Sequence, residues 1–178
     1  MKSVLLTGAT GFIGQRLQQS LITDGHQAEA LIRPGSINKA KLVPGIKALP
    51  GDLTDTKTLG IALARADAVI YCAGSVRGRT LDDFKVANIE GVASVVSTMN
   101  QVSSEKPLLL ISSLAATRPA VSDYANSKYL GEQELIENAR FPWTILRPPA
   151  VYGPGDKDML PILKLARKGL VTPTGPAG

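Results

Sequence analysis

The stretch from Lys2 to Gly14, KSVLLTGATGFIG, admits few folds, because an apolar run breaks directly into three glycines, Gly8, Gly11 and Gly14. Val4, Leu5 and Leu6 read as a buried parallel strand, Thr7 to Thr10 as a turn, and the residues from Gly11 to about Thr23 as a helix. A strand that turns this sharply aims the helix's first amides, and the positive end of its dipole, at one spot beyond the sheet edge. A dinucleotide's pyrophosphate can occupy that spot only if no Cβ stands in the way, which is what glycine provides. Glycine triplets also occur in strand-to-helix turns that bind nothing. The spacing counts here because of its place at the head of an alternating chain.

The alternation continues from there. Gln27 to Arg33 predicts a second strand, ended by Pro34, Gly35 and Ser36, and Ile46 to Leu49 a third, leading into Pro50, Gly51, Asp52 and Leu53. Thr54 reads as the N-cap of a helix to about Arg65. Ala68 to Tyr71 predicts a fourth strand, ended by Cys72, Ala73 and Gly74, whose small side chains leave space for a flat ring. Asp82 to about Val102 carries Phe84, Val86, Ile89, Val92, Val95, Val96 and Met99 at helical spacing, with Asn88 among them, and should cover one sheet face. A fifth strand, Leu108 to Ile111, delivers Ser112 and Ser113 at its C-terminal end. Tyr124 to about Ala139 predicts a helix, Thr144 to Leu146 a sixth strand followed by Pro148 and Pro149, and Asp156 to Lys168 a last helix. The expected fold is α/β, a doubly wound, mostly parallel Rossmann sheet with helices on both faces and a nucleotide across the C-terminal ends of the strands.

Composition narrows the partners. A chain of 178 residues, 44% hydrophobic and 20% charged, supports one domain with a substantial core. The single cysteine, Cys72, and single histidine, His26, leave no internal disulfide and no metal-ligand set, so a reducing compartment and no metal are expected. No basic segment precedes an apolar h-region and no apolar run approaches the roughly 18 residues of a membrane span, so a cytoplasmic location is expected. The net charge of +5 comes from scattered Lys and Arg, and aromatics are only 4% of residues, so a phosphorylated cofactor is the expected anionic partner and nucleic acid is not.

Tyr124 and Lys128 stand four apart in YANSK, on one face of the first turns of a predicted helix. An ammonium beside a phenol favours the phenolate and brings a reference pKa near ~10 toward the working range, which makes the tyrosine a usable acid or base. Ser113 can supply a second donor to the same substrate oxygen. Such pairs also occur on helix surfaces with no chemical role, so the assignment rests on what surrounds it.

The surroundings are TGATGFIG at Thr7 to Gly14, GDLTD at Gly51 to Asp55, CAG at Cys72 to Gly74, NIEG at Asn88 to Gly91, ISS at Ile111 to Ser113, YANSK at Tyr124 to Lys128 and RPPAVYGPGD at Arg147 to Asp156. In this order, over nearly the whole chain, they resemble the short-chain dehydrogenase/reductase family, in its extended, NAD-dependent epimerase/dehydratase-like branch. The resemblance implies that Tyr124 is the general acid/base, that Lys128 bonds the nicotinamide ribose and holds the tyrosine's pKa down, and that Ser113, rather than Ser112, orients the reacting oxygen. It implies a proton-relay or steadying role for Asn88, whose alternative role is to satisfy buried backbone groups. A cofactor site of Gly8, Thr10, Gly11, Phe12, Ile13 and Gly14 follows, with Asp52 and Leu53 at the adenine and Cys72, Ala73, Gly74, Tyr124 and Lys128 nearer the nicotinamide. Pro148 to Val151 would line the nicotinamide pocket with backbone. Asp52 has an alternative as a turn-forming residue ahead of a helix.

Two departures bear on the substrate. The stretch between Ser113 and Tyr124 is shorter than in many extended members, and the chain closes on Val171 to Gly178, a Pro/Gly-rich run more like a loop interior than a domain end. Residues 1–170 are therefore expected to form the NAD(P)-binding domain and 171–178 to begin a substrate-binding region that is largely missing. Arg33, Ser36 and Lys39 at the end of the second strand suit a ribose 2′-phosphate, whereas Glu29 lies too early to be a strand-end carboxylate, so NADP is expected and NAD is the second choice. The expected function is hydride transfer between a nicotinamide cofactor and a carbonyl or hydroxyl small molecule. The alternatives are a nucleotide-sugar epimerase/dehydratase using the same Ser-Tyr-Lys set, and a non-catalytic nucleotide-binding scaffold or sensor; a homodimer is compatible with each.

Overall fold

The computed structural model describes residues 1–102, 105–156 and 159–170. Six strands, β1 (Ser3–Thr7), β2 (Gln27–Ile32), β3 (Ile46–Pro50), β4 (Ala68–Tyr71), β5 (Leu108–Ile111) and β6 (Trp143–Leu146), are linked and followed by helices. The α-helices are α1 (Phe12–Thr23), α2 (Thr56–Arg65), α3 (Leu81–Lys85), α4 (Gly91–Val102), α5 (Asp123–Asn138) and α6 (Leu160–Arg167). All strand pairs are parallel and the order is β3-β2-β1-β4-β5-β6. The winding direction reverses between β1 and β4, which is where open sheets form a crevice beyond their carboxyl ends.

The expected double winding is observed, and β1 gives its physical cause. Val4 and Leu6 point into a cluster with Leu21 of α1 and Ala28, Ala30 and Ile32 of β2. Leu5 points the other way, into a cluster with Leu59 and Leu63 of α2, Val95 and Met99 of α4 and Leu135 of α5. Alternate residues of a strand serve opposite faces, so an unbroken apolar run needs helices on both. Each fully buried Leu contributes about 1.5–3 kcal/mol to that arrangement.

The glycine turn is packed tightly by the protein's own backbone. Gly8 has φ +66°, and a Cβ there would lie 2.5 Å from the Cys72 carbonyl and the Ala73 nitrogen. A Cβ on Gly14 would overlap the Gly8 carbonyl oxygen and lie 2.8 Å from the Ala9 Cα, all backbone that cannot turn aside. Gly11 is different, since its Cβ would meet only the Gly8 oxygen, at 3.3 Å. Gly14→Ala is therefore expected to lower unfolding free energy by about 1–3 kcal/mol, the usual cost of overpacking. Gly11→Ala should cost little stability and act on cofactor affinity instead. Denaturant titration of both variants checks this, and equal losses would refute it.

Several predicted boundaries move. The second helix is capped by Asp55, whose carboxylate accepts from the Thr58 amide at 3.0 Å, and not by Thr54. The Thr54 amide and hydroxyl are both bonded to Asp52, which removes that side chain from capping. The predicted helix from Asp82 to Val102 begins at Leu81 behind a Thr80/Asp83 capping box, and is interrupted by a π-helical segment, Val86–Glu90, before α4. The last helix starts at Leu160 rather than Asp156, whose carboxylate instead bonds the Met159 amide. β2 ends at Ile32, so Arg33 stands just beyond it at the start of a 3₁₀ helix, Pro34–Lys39. The predicted start of a second region at 171–178 lies outside the described residues.

Candidate active site

A cleft of about 1060 Å³ opens beyond the carboxyl ends of β1, β4, β5 and β6. Its floor is the β1–α1 turn, where Gly11, Phe12, Ile13 and Gly14 all line it. Helix α1 has no acidic residue in its first turn and no side-chain cap at Gly11, so its leading amides face the cleft without a protein anion. That open backbone cradle fits a pyrophosphate. Cys72, Ala73 and Gly74 form the next wall, held by Thr7, whose hydroxyl accepts from the Cys72 and Ala73 amides, both at 3.2 Å. Thr7 was not singled out from sequence; the signal for it is a polar residue closing a strand that is otherwise apolar.

Ser113, Tyr124 and Lys128 line the same cleft. Ser122 caps α5 by accepting from the Ala125 amide at 3.1 Å, which sets Tyr124 in the first turn and Lys128 one turn further along the same face. The Tyr124 ring meets Phe84 of α3 edge-on, with centroids 5.8 Å apart. Phe84 was legible only as a core residue, yet it is what holds that ring. Lys128 is buried, donates to the Ile111 carbonyl at 2.9 Å, and has its pKa pushed down by burial to about 8. Burial likewise pushes the Cys72 thiol up to about 11. The two serines of the β5 end differ in kind. The Ser112 hydroxyl is buried and donates to Glu132, whereas Ser113 is half-buried at the cleft and its oxygen accepts from the Ala115 amide at 3.2 Å.

Glu132 is a further residue that the sequence reading passed over. It is fully buried and accepts from Arg147 Nη2 at 2.7 Å and Nε at 3.0 Å. On a helix surface a charged residue reads as solvated. The available signal was its place four residues after Lys128, on the face that carries the site.

Pro148 and Val151 line the cleft on the far side, where the Pro148 carbonyl accepts from the Leu114 amide at 2.9 Å. The loop then reaches back over α1, and Arg16 donates to the Pro154 carbonyl at 3.3 Å. Asn88 does not line the cleft. It lies behind it in the π segment, donating to the Ser75 carbonyl and the Ser127 hydroxyl and accepting from the Ser75 amide, all within 3.0 Å. Its side chain therefore ties the loop after β4 to α5. Gly8 and Thr10 also lie outside the cleft wall, Gly8 packed on backbone and Thr10 exposed.

Arg33, Ser36, Lys39, Asp52 and Leu53 are not brought into the Tyr124 cleft. They follow the carboxyl ends of β2 and β3, the strands beyond β1 from Tyr124. Arg33 and Lys39 are exposed there and Ser36 half-buried. Asp52 uses its carboxylate on Thr54, and Leu53 packs on the core against α4 at Gly91. Glu29 sits within β2, opposite Leu5 and Lys47, and pairs with Arg65 at 3.1 Å, so it is not a strand-end carboxylate.

The NAD(P)H-binding family model matches residues 8–162. Ceramide reductase from Caulobacter vibrioides is 34% identical over 170 residues, covering 96% of this chain and 53% of that protein. UDP-glucose 4-epimerase from Vibrio cholerae is 25% identical over 98% of this chain and 60% of that protein. The crystal structure of the Bordetella bronchiseptica enzyme WbmH in complex with NAD⁺ superposes with a TM-score of 0.77 at 22% identity, over 96% of this chain and 64% of that one. The chain thus spans about half the length of the curated relatives it matches. Among the described residues, no helix is long and apolar enough to cross a membrane.

Proposed function

We propose that this chain, which belongs to the NAD(P)H-binding family in the extended, epimerase/dehydratase-like branch of the short-chain dehydrogenases/reductases, is the nucleotide-binding and acid/base half of a carbonyl reductase or dehydrogenase. The observation that carries the reading is the convergence of Ser113, Tyr124 and Lys128 on the cleft floored by the glycine turn and the first amides of α1. When bound, a nicotinamide dinucleotide supplies the hydride donor or acceptor. Tyr124 gives the phenolic proton to the substrate oxygen in reduction and receives it in oxidation. Lys128 spends one N–H on Ile111 and keeps two for a ribose hydroxyl and the tyrosine, and it is charged below about pH 8. Ser113 donates to the reacting oxygen from the other side. Asn88 acts through the loop it holds, and Ser112, engaged with Glu132, plays no direct part.

A buried, charged lysine is costly, and perturbed groups of this kind gather where chemistry needs them. The similarity to a reductase at 34% identity favours this reading over sugar-nucleotide epimerisation, which the 25% identical epimerase keeps as the second. Both use the same proton transfer at Tyr124. Cofactor oxidation with carbonyl compounds, set against conversion of a sugar nucleotide in the complete protein, separates them; a protein that binds cofactor and does neither is the scaffold of the third reading. We place the nucleotide domain at residues 1–170, with the substrate region beginning at 171. The 178-residue chain is accordingly expected to bind dinucleotide in calorimetry and to turn over no carbonyl compound. Robust catalysis by this chain alone would refute that division.

A further inference from the structure

We propose that Glu132 is a positioning residue of the site: clamped by Arg147 and Ser112, it locks the ends of β5 and β6 onto α5 and places a fixed negative charge one helical turn from Lys128. The geometry is a closed set of bonds. Arg147, directly after β6, presents Nε and Nη2 to the two carboxylate oxygens, and the Ser112 hydroxyl, directly after β5, donates to Oε1. The residue before Ser112 receives the Lys128 ammonium, and the residue after it is Ser113. Backbone bonds continue the register past the strands, from the Ser112 amide to Leu146 at 2.7 Å and from the Leu114 amide to Pro148 at 2.9 Å. One carboxylate therefore fixes the serine wall, the proline wall and the lysine helix together.

Stability alone does not account for charge at this place. Glu132 is fully buried while Arg147 stays 43% exposed, and a desolvated carboxylate is often matched or bettered by an apolar side chain of similar size, so a clamp that served only the fold could be apolar. The groups facing Lys128 supply another reason. Cys72 faces it from the end of β4, while Tyr124 and Glu132 share its own helix face, with Arg147 behind Glu132; β5 offers only the Ile111 carbonyl. Burial drives the ammonium toward neutrality, and Cys72 and, to a lesser degree, Glu132 oppose that drive.

This inference rests on the assignment of Lys128 to the cofactor and proton chemistry, but its test is read without turnover. Lysine side chains labelled with ¹³C are titrated by NMR in the 178-residue chain, and the Lys128 signal is identified by its loss in Lys128→Arg. Wild type should titrate near pH 8, and Glu132→Gln, isosteric and neutral, should titrate lower by about one unit, the scale of one nearby charge. A clamp with a purely structural role predicts the opposite movement, because a loosened site rehydrates the lysine and returns it toward 10.5. An unchanged or raised midpoint in folded Glu132→Gln overturns the proposal. Should that variant fail to fold, Glu132→Met takes its place, neutral and of similar volume, with the exposed Arg147 left to water. The same downward movement is required of it, and its absence overturns the proposal equally.

Discussion

Tyr124→Phe is expected to leave dinucleotide affinity nearly unchanged while lowering turnover of the complete protein by about two or more orders of magnitude, the scale of a general-acid contribution. The separation between the two effects follows from the way the ring is held. Its edge-on contact with Phe84 and the Ser122 cap of α5 involve the ring and the backbone, which phenylalanine preserves. Only the proton is lost. Calorimetry with the cofactor and steady-state assays on the same preparation make the comparison, and near-normal turnover would remove Tyr124 from the mechanism. Lys128 adds a pH signature. Its charge is present below about pH 8 and lost above it, so wild-type activity should decline as pH rises through that value. Stability runs the other way: between about 8 and 10.5 the unfolded chain binds the proton that folded Lys128 has released, so unfolding free energy rises with pH across that window. Opposite trends in activity and stability over one interval are the mark of a residue that weakens the fold where its charge is needed.

The fold was legible because its signals are local. β1 and β4 are apolar runs closed by small residues, and a strand buried on both faces can hardly be written otherwise. The elements of the acid/base set were legible for the same reason, as Tyr124 and Lys128 share a helix face by spacing and Ser113 closes a strand. What could not be read depends on partners distant in sequence. Thr54 and Asp55 are both good caps on paper, and only the bonds from Thr54 to Asp52 decide between them. The π segment at Val86–Glu90 leaves Val86 exposed and turns Asn88 inward, although Val86 fits the apolar spacing from Phe84 to Met99, so the segment left no trace in the pattern. Glu132 and Arg147 lie on different elements, and the buried carboxylate meets its half-exposed guanidinium only when β6 is laid beside β5. The same holds for the roles of the three glycines. Spacing marks a cradle, but that Gly8 and Gly14 are demanded by the protein's own backbone appears only once β4 and α1 are in place.

Preference for NADP(H) over NAD(H) is the remaining large effect expected of this site. Discrimination in Rossmann domains is exercised just past the second strand, where a carboxylate accepts from the ribose 2′-hydroxyl in NAD sites and would repel a 2′-phosphate. Here β2 stops at Ile32 and the next residue is Arg33, exposed, with Ser36 and Lys39 in the 3₁₀ turn that follows. The carboxylate that could have served an NAD site, Glu29, lies inside the strand and is paired with Arg65. A guanidinium suits phosphate because it is permanently charged and presents paired donors in one plane. Arg33→Ala is therefore expected to weaken NADP(H) binding by about 1.5–3 kcal/mol, the scale of hydrogen bonds to a charged group, while NAD(H) affinity barely moves. That is roughly one to two decades in dissociation constant. Because phosphate neutralisation is sensitive to salt at an exposed site, the difference between the two cofactors should also shrink as ionic strength rises. Titrating both cofactors into wild type and Arg33→Ala at two salt concentrations tests the assignment. Equal losses for the two cofactors, or a wild type that prefers NAD(H), would show that Arg33 does not read the 2′-phosphate.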